Sequence, residues 1–177
     1  MNKLIILTVT GLLVSACSTK PITVDRIAFN EVEFTSLAAQ GTTSISGTAF
    51  IVDAQGEKHF PSNAQARLNP KTSYSRQWYE VNYLNQQNIA DADPRYLKYV
   101  RKADIDARGN FSFENIPAGN YYISAPVFWM KEFKLEDGSV FLKRMGAFVC
   151  YEIQVEQGKD MIVQITTDNP FDVVLSE

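Results

Sequence analysis

The sequence of 177 residues contains a single histidine, His59. That scarcity excludes catalysis by histidine triads and zinc sites built on paired imidazoles. Cysteine is nearly as rare, with two in the chain and no C-x-x-C, so neither a zinc ribbon nor a dithiol redox pair is available. The G-x-S-x-G, G-x-G-x-x-G and Walker-type phosphate loops are all missing. Positive charge is not in excess either: 17 Lys and Arg face 20 Asp and Glu, a net charge of −3 with a pI near 5.3. A nucleic-acid partner is therefore not expected. Nor does the composition call for a metal or another cofactor. What remains is 45% hydrophobic and 21% charged, the composition of one globular domain, and its 12% aromatic content favours β structure.

The N-terminus reads as an address. Met1-Asn2-Lys3 precedes an apolar stretch from Leu4 to Val14, followed by Ser15-Ala16-Cys17. At ~1.5 Å per residue this stretch covers about half of a ~30 Å bilayer core, too little for a spanning helix, and the order of segments is that of a secretory signal. Leu13-Val14-Ser15-Ala16-Cys17 resembles the box of bacterial lipoproteins. The resemblance implies cleavage between Ala16 and Cys17, a diacylglycerol on the Cys17 sulfur and an acylated amino group, with palmitate as the expected type of chain. Several acyl chains exceed what stable anchoring needs. Ser18 stands where that family's inner-membrane retention signal would place Asp. The resemblance therefore points to the outer membrane, with the chain on its periplasmic face. The expected layout is a signal peptide at 1–16, a lipidated tether at 17–26 and a single β domain at 27–177. Cys150, the other cysteine, lies in an apolar run and is expected to be a small buried hydrophobe.

The rest of the chain is patterned for strands. Polar turns closed by glycine fall at 53–56, 106–109, 136–139 and 156–159. Strands are expected at 27–35, 44–53, 64–69, 98–106, 110–114, 120–129, 139–144, 147–156 and 160–167, with the turns read as hairpins. Phe111 and Phe113 alternate with polar neighbours, as on a strand with one buried face. The prediction is an all-β, antiparallel sandwich of about seven to nine strands with a long inserted connection around 70–100.

Asp106-Ala-Arg-Gly109-Asn-Phe111-Ser-Phe113-Glu-Asn-Ile-Pro117-Ala-Gly119-Asn-Tyr121 resembles the signature of carboxypeptidase regulatory-like domains. Ile45-Ser-Gly47, Asp53, Gly56, Pro61 and Ala64 to Leu68 fit the same family's first hairpin. The match covers about 45–127 and implies a transthyretin-like (prealbumin-like) sandwich that is not itself catalytic. Asp106, Gly109, Phe111, Phe113, Pro117, Gly119 and Tyr121 are then structural. The transthyretin-like lipoproteins of type VI secretion systems are a second resemblance, without their own motifs here.

Aromatic residues cluster in the insertion at Tyr74, Trp78, Tyr79, Tyr83, Tyr96 and Tyr99, next to Arg95, Lys98, Arg101 and Lys102. Tyr and Arg are prominent at interface hot spots. Arg95, Tyr96, Lys98, Tyr99 and Arg101 are thus candidates for a partner site, with Tyr96 expected at the surface and Trp78 in the core. His59 is expected in a loop or at a strand edge. A calcium loop at 104–115 fails because Arg108 takes a ligand position and Asn115 replaces the bidentate Glu. The expected function is that of a non-catalytic, lipid-anchored envelope module binding a protein or glycan. The alternatives are a structural lipoprotein of a secretion or surface complex and a divergent envelope hydrolase.

Overall fold

Residues 22–35, 37 and 40–167 are described by the computed structural model, so the signal segment, Ala16 and Cys17 lie outside the described residues. In chain order the elements are β1 (Thr23–Val24), α1 (Glu31–Thr35), β2 (Thr43–Ala49), β3 (Ile51–Val52), β4 (Lys58–His59) and β5 (Gln65–Pro70). Then come α2 (Ser73–Trp78), a π-helical turn (Tyr79–Leu84), β6 (Asn88–Ile89), a 3-10 turn (Pro94–Tyr99) and β7 (Arg101–Asp104). The chain continues as β8 (Asn110–Ile116), β9 (Gly119–Lys134), β10 (Val140–Val155) and β11 (Met161–Ile165).

The fold is an all-β sandwich. One sheet has the order β10-β9-β5-β7, and the other the order β11-β2-β8. Period-two alternation puts one side of each strand between the sheets. Ile45, Ala49, Phe111, Phe113, Ile116 and Ile165 from the three-stranded sheet meet Ala66, Leu68, Tyr121, Ile123, Ala125, Val127, Val149 and Val155 from the four-stranded one. All of these are buried, which is the main source of stability for such a layered core. Pairing is antiparallel except for β11 beside β2 and the short β1–β6 pair.

The expected turns divide into two kinds. Asp53–Gly56 and Leu135–Ser139 are true hairpin turns, joining β3 to β4 and β9 to β10. Asp106–Gly109 and Glu156–Lys159 instead carry the chain from one sheet to the other. The first is tight because the Asp106 carboxylate accepts from the N–H groups of Arg108 and Asn110, both at 2.8 Å. Gly109 has φ +82°, and a Cβ there would lie 2.3 Å from the Ala49 carbonyl, so only glycine fits. Pro117 and Tyr121 complete the corner, since the Tyr121 hydroxyl donates to the Pro117 carbonyl at 2.9 Å.

Four strand expectations are corrected, the first being 44–53, which breaks at Phe50 into β2 and β3 in different sheets. Residues 27–35 are not a strand, because Asn30 Oδ1 accepts from the Val32 N–H and opens helix α1. The strands expected at 139–144 and 147–156 are one strand, with Gly146 remaining paired to Phe128 at φ +120°. The strand expected to begin at 98 begins at Arg101, because Pro94 sets φ for a 3-10 turn capped by Asp93.

The inserted connection is a cap. Thr72 and Ser75 bond reciprocally in a capping box that starts α2. The segment then folds back over the outer face of the four-stranded sheet, the face that carries Asn69, Tyr122 and Cys150. Tyr79 stacks on Tyr122 at 4.6 Å, the Tyr83 hydroxyl accepts from the Cys150 N–H at 3.1 Å, and Tyr96 donates to Asn69 Oδ1 at 3.0 Å. The cap covers only part of that face.

Candidate functional site

The insertion was the sequence-predicted site, and its geometry is that of a small second core. Tyr96 is buried against Phe34 and Tyr74, with Phe29, Ala92, Tyr99 and Val100 packed around them. Ring centroids lie 5.1 Å apart for Tyr74–Tyr96 and 5.8 Å for Phe34–Tyr96. The surface placement of Tyr96 is therefore corrected: its ring is apolar enough to fill this core, and its hydroxyl finds Asn69. Burial pushes its ionisation well above that of a free tyrosine. Tyr99 is half-buried. Trp78, expected in the core, is also only half-buried and stacks with Tyr83 at 6.4 Å.

The charges around this core are already engaged. Arg95 forks onto Asp93, with Nε to Oδ1 at 3.0 Å and Nη2 to Oδ2 at 2.7 Å. The side-chain and backbone hydrogen bonds from Arg95 hold the Asp93 carboxyl down at about 2. Lys98 pairs with Glu31 at 2.7 Å. Arg101 is half-buried and in register with the inward-facing Leu68, across β7 from Lys102. The five candidates therefore do not form one open surface. Arg95 and Lys98 would have to give up carboxylate partners to meet a ligand.

His59 is also accounted for. It stacks on Trp129 at 3.9 Å, with the rings 2° from parallel, and its Nε2 lies 2.9 Å from Asp53 Oδ2. Asp53, Glu57 and His59 offer ligand atoms within 4.8 Å of one another. The other oxygen of Asp53, however, accepts from the N–H groups of Gln55 and Glu57 to close the β3–β4 hairpin. The arrangement explains a turn. Cys150 is buried, and desolvation raises its thiol to about 12.

The uncapped part of the outer face holds the candidate site, a cleft of about 650 Å³. Register builds it. Gln65 and Arg67 on β5 lie opposite Asp104 and Lys102 on β7, and Arg67 lies beside Ser124 on β9. Pro126, Phe128 and Arg144 close the far wall. The Arg144 guanidinium sits over the Phe128 ring at 4.1 Å, and Phe148 meets the same ring edge-on at 5.7 Å. Gln65 Nε2 donates to Asp104 Oδ1 at 2.8 Å. The volume falls within the ~300–1,000 Å³ range of ligand pockets. Amide, carboxylate and guanidinium groups beside aromatic rings can bind polar molecules rich in hydroxyls. Sequence reasoning met Asp104 within the rejected calcium loop and did not single out Gln65, Arg67, Phe128 or Arg144. No short-range motif joins these residues.

Beyond the sheet, β9 and β10 continue as a two-stranded arm paired from Val127–Ala147 out to Lys134–Val140. Met130, Leu135, Val140, Phe141 and Leu142 are exposed along it.

A solved structure similar to this chain agrees with the sandwich. A candidate carbohydrate-binding protein from Pseudomonas aeruginosa matches with a TM-score of 0.67 and 28% identity, over 81% of this chain and all of that one. The major pilin subunit of Bacillus cereus matches over 71% of this chain and 29% of its own length, at 17% identity and a TM-score of 0.35. No protein-family model and no curated protein matches the chain. The class defined by fold and site is an all-β sandwich with a half-capped outer face, similar in fold to that Pseudomonas protein.

Proposed function

We propose that this chain is a non-catalytic glycan-binding module held by lipid at the outer membrane, on its periplasmic face. The observation that carries the binding role is the cleft left open beside the cap, with Gln65, Asp104, Phe128 and Arg144 converging on it. The likeness to a candidate carbohydrate-binding protein supports a glycan over other hydroxyl-rich ligands. The anchor rests on Cys17 and the lipoprotein-like segment before it, and the transthyretin-like assignment rests on the 45–127 resemblance. A glycan array probed with the full chain should show binding that Phe128→Ala and Asp104→Asn weaken. For the anchor, intact-mass analysis should find residues 1–16 removed and acyl mass on Cys17. A mature N-terminus elsewhere would remove the anchor and leave the binding role standing.

A second reading, assembly beside an envelope protein in a secretion or surface complex, is favoured by the apolar arm. Crosslinking from Phe141 or Leu142 in intact envelopes should then capture one fixed protein partner.

A further inference from the structure

We propose that the cleft binds a negatively charged sugar residue, with the anionic group held by Arg67 and Arg144. The proposal rests on the glycan-binding reading above and adds the charge of the ligand.

Three observations lead to it. First, Arg67 and Arg144 are both exposed on the cleft wall, and neither has an ion-pair partner among the described residues. The contrast with Arg95 and Lys98 is direct, since each of those has a carboxylate in place. Lys102 lies opposite Arg67 on the neighbouring strand and adds a further positive charge at the edge. Like charges on one cleft raise the local potential for an incoming anion.

Second, Arg144 is oriented. Its guanidinium lies over the Phe128 ring at 4.1 Å, and Phe148 supports that ring from the side. The ring contact fixes where the guanidinium sits, and its N–H groups, with no ion pair among the described residues, can fork onto a carboxylate or phosphate. A lysine over the same ring would offer a point charge without the planar fork.

Third, the one carboxylate of the cleft is placed to read hydroxyls rather than to cancel the arginines. Gln65 donates to Asp104 Oδ1, which leaves Oδ2 to accept from the ligand. Arginine forks for an anion, next to an acceptor carboxylate and amides for hydroxyls, match a sugar acid or a phosphosugar. An acidic peptide would satisfy the arginines and leave Asp104 facing like charge.

The test is calorimetric titration of the full chain with matched probes: oligogalacturonate, its fully methyl-esterified form, a mannose 6-phosphate oligomer and oligoglutamate. We expect oligogalacturonate or the phosphosugar to bind at least tenfold tighter than the ester, and the sugar that binds identifies the anion as carboxylate or phosphate. The preference should shrink as salt rises, since exposed charges are screened within ~10 Å at 0.1 M. Arg67→Gln and Arg144→Gln should each erase most of it, and Arg144→Lys should restore only part. Both positions are exposed, so unchanged circular dichroism will verify folding. Equal binding of acid and ester overturns the anionic inference while the glycan reading survives. Binding of oligoglutamate as tightly as the anionic sugars overturns the sugar assignment. Silence towards all sugars, charged and neutral, overturns both.

Discussion

Removing the Tyr96 ring tests whether the insertion is a packed cap or a loose binding loop. In the structure Tyr96 is 9% exposed, packs on Tyr74 and Phe34, and donates to Asn69. Deleting a buried ring of this size costs ~3–5 kcal/mol. At the usual ~2–4 °C per kcal/mol for a domain of this size, Tyr96→Ala should lower the unfolding midpoint by about 6–20 °C. Tyr96→Phe keeps the ring and strands Asn69 Oδ1, a loss of ~1–3 kcal/mol. Leu97→Ala, at a neighbouring position 55% exposed, should stay within ~0.5 kcal/mol. Thermal melts by circular dichroism measure all three. Amide exchange at Cys150 adds a local probe, because its N–H is held by the Tyr83 hydroxyl of the cap. Faster exchange there in Tyr96→Ala, ahead of global unfolding, would mean that the cap opens as a unit. If Tyr96→Ala melted within a degree or two of wild type with Cys150 exchange unchanged, the packed-cap account would be wrong.

Other consequences follow from single residues. Gly138 has φ +84° and open space around its Cα, whereas Gly109 has a similar φ and the Ala49 carbonyl in the way. Gly138→Ala should therefore cost about 1 kcal/mol of backbone strain in urea titrations, and Gly109→Ala clearly more. Asp93 has its carboxyl lowered from 3.8 to about 2, so the stability it contributes is present above pH ~4 and lost as pH falls towards 2. Asp93→Asn should flatten acid unfolding in that window. Cys150, buried and raised to about 12, should resist thiol reagents at pH 8 in the native state and react once unfolded.

The sandwich was legible where a single strand carries its own evidence. Phe111 and Phe113 alternate with polar residues, Asp106 and Gly109 announce a turn, and Pro117 with Gly119 sets the next corner. The turn's role was not legible, because a local Asp-x-x-Gly pattern is the same whether the next strand joins its neighbour's sheet or the opposite one. The cap defeated sequence reading for a related reason. In Pro94-Arg-Tyr-Leu-Lys-Tyr99 a short 3-10 turn buries Tyr96 and exposes Leu97, which reverses what side-chain polarity alone suggests. The burial is decided by Phe34 and Tyr74, which are distant in sequence. The cleft was hidden most completely. Gln65, Arg67, Asp104, Phe128 and Arg144 come from four strands, and only the register of β5 with β7 and β9, and of β9 with β10, puts them on one face.

The location of glycan contact tests the central claim most directly. Two-dimensional NMR of the isotopically labelled full chain, titrated with oligogalacturonate and separately with a neutral oligosaccharide that scores on the array, would report it residue by residue. The account predicts shifts centred on Gln65, Arg67, Asp104, Phe128 and Arg144, with the arm tip around Phe133 and Phe141 silent. Shifts centred instead on Trp78 and Tyr83 of the cap, or on the arm, with the cleft unmoved, would contradict it.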